Sequence, residues 1–89
     1  MDEIKARPRQ HSHPPSQAEQ EHYADLIAGL RLARQARGYS QANLEHRIGV
    51  SEGLVAKWET QARLPGAFLL MCWCCALGVR LTLEKEPNA

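Results

Sequence analysis

Two stretches with the period of a helix stand three residues apart in this chain, and that spacing limits its fold more than any other feature. Residues 40–48 place apolar side chains at Leu44 and Ile48 and open on Ser40, whose hydroxyl can accept a backbone N–H at a helix start. Residues 52–60 place Val55 and Trp58 on one stripe and follow a second candidate cap, Ser51. Only Gly49-Val50-Ser51 lies between them. So short a link forces the two helices to pack against each other at a steep angle.

The rest of the chain supplies helices for this pair to lean on. Ser16 and Glu19 have the spacing of a capping box, and Tyr23, Leu26, Ile27, Leu30 and Ala33 repeat at three and four. A helix over 17–37 is expected, stopped by Gly38 with Arg37 favourably placed against its C-terminus. Pro65 suits the first turn of a further helix that runs to about Leu77 and stops at Gly78. The period then changes. Val79, Leu81 and Leu83 alternate with Arg80, Thr82 and Glu84, a short strand with no second strand to pair with. The reading is all-α: a disordered tail over 1–15, a helical domain over 16–78, and a strand and tail over 79–89. In the tail, prolines, Arg7, Arg9, His11 and His13 surround a single larger aliphatic residue, Ile4. It reads as a solvated leader, with an arm reaching a phosphate backbone as the alternative.

Composition excludes several classes. Eighty-nine residues leave room for one small domain, and 11 Lys and Arg against 10 Asp and Glu give a net charge of only +1. Nucleic-acid binding by bulk charge is excluded, so any such role must come from placement. The apolar run over 67–77 is too short to span a bilayer, and the polar start offers no signal peptide. Cys72, Cys74 and Cys75 cannot staple distant parts of a fold, which points to a reducing cytoplasm. They lack a second ligand pair for zinc and read as small buried hydrophobes; an oxidation sensor at Cys72 or Cys75 is the alternative. No metal or cofactor is expected. Neither a Ser/His/Asp order, nor a Gly-rich phosphate loop, nor a carboxylate pair suggests an enzyme.

Two short helices joined by a glycine turn make a helix-turn-helix, whose second helix fits the major groove of DNA. In the helix after the turn, Val55 and Trp58 point one way while Gly53, Ala56, Lys57 and Thr60 point the other. Small outward residues let the backbone approach the groove floor, and Lys57 can donate to guanine O6 and N7 or to phosphate. Gly38-Tyr39-Ser40-Gln41, Leu44, Ile48-Gly49-Val50-Ser51, Val55, Trp58-Glu59, Pro65 and Ala76-Leu77-Gly78-Val79 together resemble the Cro and phage-repressor type of DNA-binding domain over residues 26–79. The resemblance implies a lambda-repressor-like fold of four to five helices. It also implies phosphate or base contacts from Ser40, Gln41, Ser51, Glu52, Gly53, Ala56, Lys57, Thr60 and Arg63. Arg34 and Glu59 fall where such domains hold a structural ion pair.

Three positions depart from that pattern. Glu45 stands where a small residue normally sits between the two helices, and must tilt outward or find a cation. Glu52 suits a helix N-terminus but repels phosphate, unless it accepts from cytosine N4. Leu54 either meets a thymine methyl or completes the core.

The last helix is apolar on every side. Leu70, Trp73, Cys74 and Leu77 make a core face, while Phe68, Cys72, Cys75 and Val79 make a second stripe nearly opposite. An exposed apolar stripe invites association, and so does a lone strand with Leu81 and Leu83 on one edge. A two-fold partner copy would satisfy both. The expected protein is a homodimeric repressor on palindromic double-stranded DNA. An antitoxin gripping a toxin, or an adaptor that has lost DNA binding, are the alternatives.

Overall fold

The computed structural model describes residues 14–87, so the expected tail lies mostly outside the described residues. Four helices follow one another: α1 (Gln17–Ala36), α2 (Gln41–Ile48), α3 (Leu54–Glu59) and α4 (Ala67–Ala76). The helix starts follow local chemistry. Ser16 Oγ accepts the Glu19 N–H at 3.1 Å while Glu19 Oε1 accepts the Ser16 N–H at 2.9 Å, a closed capping box. Ser40 Oγ accepts the Asn43 N–H at 2.9 Å and opens α2 in the same way. Pro65 stands two residues ahead of α4, not in its first turn. Gly66 holds an extended backbone (ψ 169°) and is the residue from which α4 starts, its carbonyl accepting the Leu70 N–H at 2.9 Å.

The core is built from Ile27 and Leu30 of α1, Leu44 of α2, Val55 and Trp58 of α3, and Trp73, Cys74 and Leu77 around α4. The Trp58 and Trp73 rings lie 5.2 Å apart, tilted by 31°. α2 packs on both α3 and α4, and α1 packs on α3, so the short helix after the turn is held from two sides. Leu54 packs against this core and is half-buried, so it completes the core in part. Burial pushes the Cys74 thiol above its usual 9.0, with a smaller contribution from neighbouring Cys75. Burial likewise raises the Tyr23 phenol. The Tyr23 hydroxyl and the Trp73 indole N–H are buried without a hydrogen-bond partner among the described residues.

After Gly78 the chain runs from Val79 to Glu86 without helix, turn or bend. The Val79 N–H still bonds to the Cys74 carbonyl at 3.0 Å, but no strand ladder forms within the single chain among the described residues. Among them, too, no helix is long and apolar enough to cross a membrane, and no three His, Cys, Asp or Glu side chains are grouped to hold a metal ion.

Candidate nucleic-acid interface

The turn between α2 and α3 is organised by one residue. Gly49 adopts a left-handed backbone (φ 89°), a conformation that costs glycine nothing, and reverses the chain at the end of α2. The Glu45 carbonyl accepts both the Gly49 N–H at 2.8 Å and the Val50 N–H at 3.1 Å. Its side chain then reaches forward: Oε2 accepts the Val55 N–H at 2.9 Å, in the first turn of α3. Glu45 therefore does not tilt outward, and among the described residues it pairs with no cation. It is 4% exposed, and its carboxylate meets a backbone donor that a helix start leaves without a partner.

Ser51 does not cap α3 through its side chain. The helix starts two residues later, at a left-handed Gly53 (φ 88°), and the Leu54 N–H bonds to the Ser51 carbonyl at 3.2 Å. The serine hydroxyl stays on the surface, while Glu45 takes the buried Val55 N–H.

The other end of α3 is tied to α1 and α2. Arg34 donates from Nε to Glu59 Oε2 at 2.7 Å and from Nη2 to Oε1 at 3.1 Å, and its Nη1 donates to the Tyr39 carbonyl at 2.8 Å. The Glu59 side chain is 2% exposed. Gln41 Nε2 adds a bond to Glu59 Oε1 at 2.9 Å. Three elements thus converge on one buried carboxylate, and a planar, two-pronged pair fixes angle as well as distance.

With both ends fixed, the remaining surface is open. Ser51, Glu52, Lys57, Thr60 and Arg63 are exposed, as is Ser40; Gln41, Gly53 and Ala56 are half-buried. A Cβ added to Gly53 would meet nothing within 4 Å. The Thr60 hydroxyl donates back to the Ala56 carbonyl at 3.1 Å, and Gln61, at φ 64°, ends the helix. The expected contact residues are therefore gathered along the α2 start, the turn and the outer side of α3, around a backbone with no bulk in front of it at Gly53.

One charged group went unnoticed in the sequence. Tyr39 has the Arg47 guanidinium 4.2 Å from its ring centroid and that of Arg37 at 6.0 Å. Arg47 Nε also donates to Asn43 Oδ1, one helical turn back, at 2.9 Å. The near-zero net charge hides this local concentration of positive charge; the Asn43–Arg47 spacing of four was its only sequence signal.

On α4, Phe68 and Cys75 are exposed and Cys72 is half-buried, while Val79, Leu81 and Leu83 are exposed beyond it. Met71, 51% exposed, extends the same apolar surface and was not among the expected residues. A protein-family model described as helix-turn-helix matches residues 30–83, more than half of the chain. No curated protein and no solved structure matches it.

Proposed function

The chain belongs to the helix-turn-helix family, of the Cro and phage-repressor type whose members bind DNA and regulate transcription, and from that premise we propose that it is a homodimeric repressor of a palindromic operator. The outer side of α3 enters the major groove. Lys57 donates to a guanine edge or a phosphate, Gly53 and Ala56 let the helix approach, and Ser40, Gln41, Ser51, Thr60 and Arg63 hold the flanking backbone. Glu52 selects cytosine N4 where it meets a base, and otherwise weakens binding. The observation that carries this reading is the contrast along α3: Val55 and Trp58 are locked in the core while Gly53 and Lys57 face open space.

The exposed stripe of Phe68, Cys72, Cys75 and Val79, continued by Leu81 and Leu83, forms the contact between two copies. Such a dimer sets two recognition helices about 34 Å apart, one turn of the duplex. Repression then needs nothing beyond occupancy of a promoter.

The test is binding of purified protein to palindromic promoter fragments, beginning upstream of its own gene, across a salt series. A repressor loses affinity steeply as salt rises, because phosphate contacts release counterions. No salt-sensitive binding to any fragment refutes the reading and leaves a protein-interaction role, which the carboxylate of Glu52 on the turn would favour.

A further inference from the structure

We infer that two copies join through antiparallel pairing of residues 79–85 in one register, centred on Thr82, which sets Arg80 of each copy opposite Glu84 of the other. The inference rests on the homodimer reading and specifies its contact. Two observations carry it. The first is backbone: beyond the Val79 N–H, residues 80–86 make no hydrogen bond within the described residues, although the segment runs without turn or bend. Such a row of free N–H and C=O groups is a template for a second strand. The second is side-chain order. Val79, Leu81 and Leu83 alternate with Arg80, Thr82 and Glu84, so a paired segment has one apolar and one polar face. Val79 and Leu81, with Arg80 between them, border the hollow beside Leu70, Met71 and Cys75 of α4, while Leu83 is wholly exposed, with nothing to cover it among the described residues.

Antiparallel pairing about a two-fold axis allows few registers. A slip of one residue sets Leu81 opposite Thr82 and mixes the two faces, so only registers centred on a residue survive. Centring on Leu81 leaves Arg80 opposite Thr82 and gives Glu84 no cation. A pairing centred on Leu83 gives Arg80 a carboxylate at Glu86 but sets Leu81 of both copies opposite Lys85, leaving only the Leu83 pair apolar. With Thr82 at the centre, Leu81 meets Leu83 twice on the apolar face and Arg80 meets Glu84 twice on the polar face. Val79 then falls opposite Lys85 at each end, but both leucines of each copy meet leucine, which no other register with paired charges provides.

Charge exchange and cross-linking test this on the full chain. Arg80→Glu and Glu84→Arg each turn two attractive pairs into two repulsive ones, and each is expected to raise the dimer dissociation constant about tenfold in sedimentation equilibrium. The double variant R80E/E84R restores the pairs and returns the constant to near that of the parent chain. Both positions are exposed, so circular dichroism should show every variant folded. Thr82→Cys should form an 82–82 disulfide on mild oxidation, identified by peptide mass spectrometry so that native Cys75 is not mistaken for it. A parent chain that stays monomeric at every concentration sinks the homodimer reading, and this inference with it. A dimer unmoved by either charge reversal, or one cross-linked through Leu83→Cys and weakened by Glu86→Arg instead, sinks the register alone.

Discussion

Glu45→Ala is the substitution on which the account of the turn stands. The carboxylate is 4% exposed and holds the Val55 N–H at 2.9 Å, so truncation leaves a buried donor without a partner at the start of α3. A hydrogen bond to a charged group contributes about 1.5–3 kcal/mol, and an orphaned buried donor costs a similar amount. These describe one interaction and are not summed. The four heavy atoms lost beyond Cβ add a cavity penalty, which entry of water into so polar a site would offset. The expected loss is about 2–3 kcal/mol, or roughly 8–24 °C in melting temperature for a domain of this size. Glu45→Gln keeps a carbonyl acceptor in the same place and loses only the charge, so about 1 kcal/mol is expected. Glu52→Ala, an exposed carboxylate on the same turn, should change stability by less than about 0.5 kcal/mol. Urea unfolding followed by the fluorescence of Trp58 and Trp73, both in the core, reads all three. If Glu45→Ala unfolds at the same urea concentration as the parent chain, the Val55 N–H has another acceptor and Glu45 does not organise the turn.

Breaking the pair between α1 and α3 by Arg34→Met alone should cost about 3–5 kcal/mol, because Glu59 is left charged and buried, whereas R34M/E59L should recover much of that loss in the same unfolding assay. Trp73→Phe removes an indole N–H that has no partner while keeping a ring against Trp58, so its cost should stay below about 1.5 kcal/mol, well short of a Trp→Ala truncation. The Cys74 thiol ionises above its usual 9.0 in the folded chain, so the unfolded chain gives up that proton first as pH rises. Stability should therefore fall between pH 9.0 and the folded value, and a Cys74→Ala chain should show a shallower fall over that window in urea midpoints measured against pH. At neutral pH, timed alkylation read by mass spectrometry should modify exposed Cys75 before half-buried Cys72, with Cys74 last.

What could be read from the sequence divides by distance along the chain. Ser16 with Glu19, Ser40 with Asn43 and Gly49 at the end of α2 act within four residues, so their chemistry is visible in the order of residues alone. The core stripe Val55 and Trp58 follows from period. The Glu45–Val55 bond spans ten residues, and nothing local says that a carboxylate on α2 will lie over the first turn of α3. Without that knowledge Ser51 is the natural cap and Glu45 a misfit; in the structure α3 starts two residues beyond Ser51, and Glu45 takes the Val55 N–H. The Arg34–Glu59 pair spans 25 residues and was legible only through resemblance to a family. For Tyr39 with Arg37 and Arg47, the Asn43–Arg47 spacing of four was the one local sign, and the family resemblance marked Tyr39 without its cations.

The same division explains why α3 can be so short. Six residues are too few for a helix to hold itself, since nucleation is costly and few internal bonds reward it. Its ends are therefore held from outside, by Glu45 of α2 at one end and by Arg34 of α1 and Gln41 of α2 through Glu59 at the other. That arrangement frees the outer positions. Lys57 and Ala56 contribute none of the side-chain bonds that hold the helix among the described residues, so they can vary with the surface they meet while α3 keeps its place; Gly53, at φ 88°, is held to glycine by its backbone. Substitutions at Lys57 should therefore alter DNA affinity with little change in urea midpoint, and substitutions at Glu59 should alter both. A Lys57→Ala chain that unfolds markedly earlier than its parent would show that the outer side of α3 is part of the scaffold.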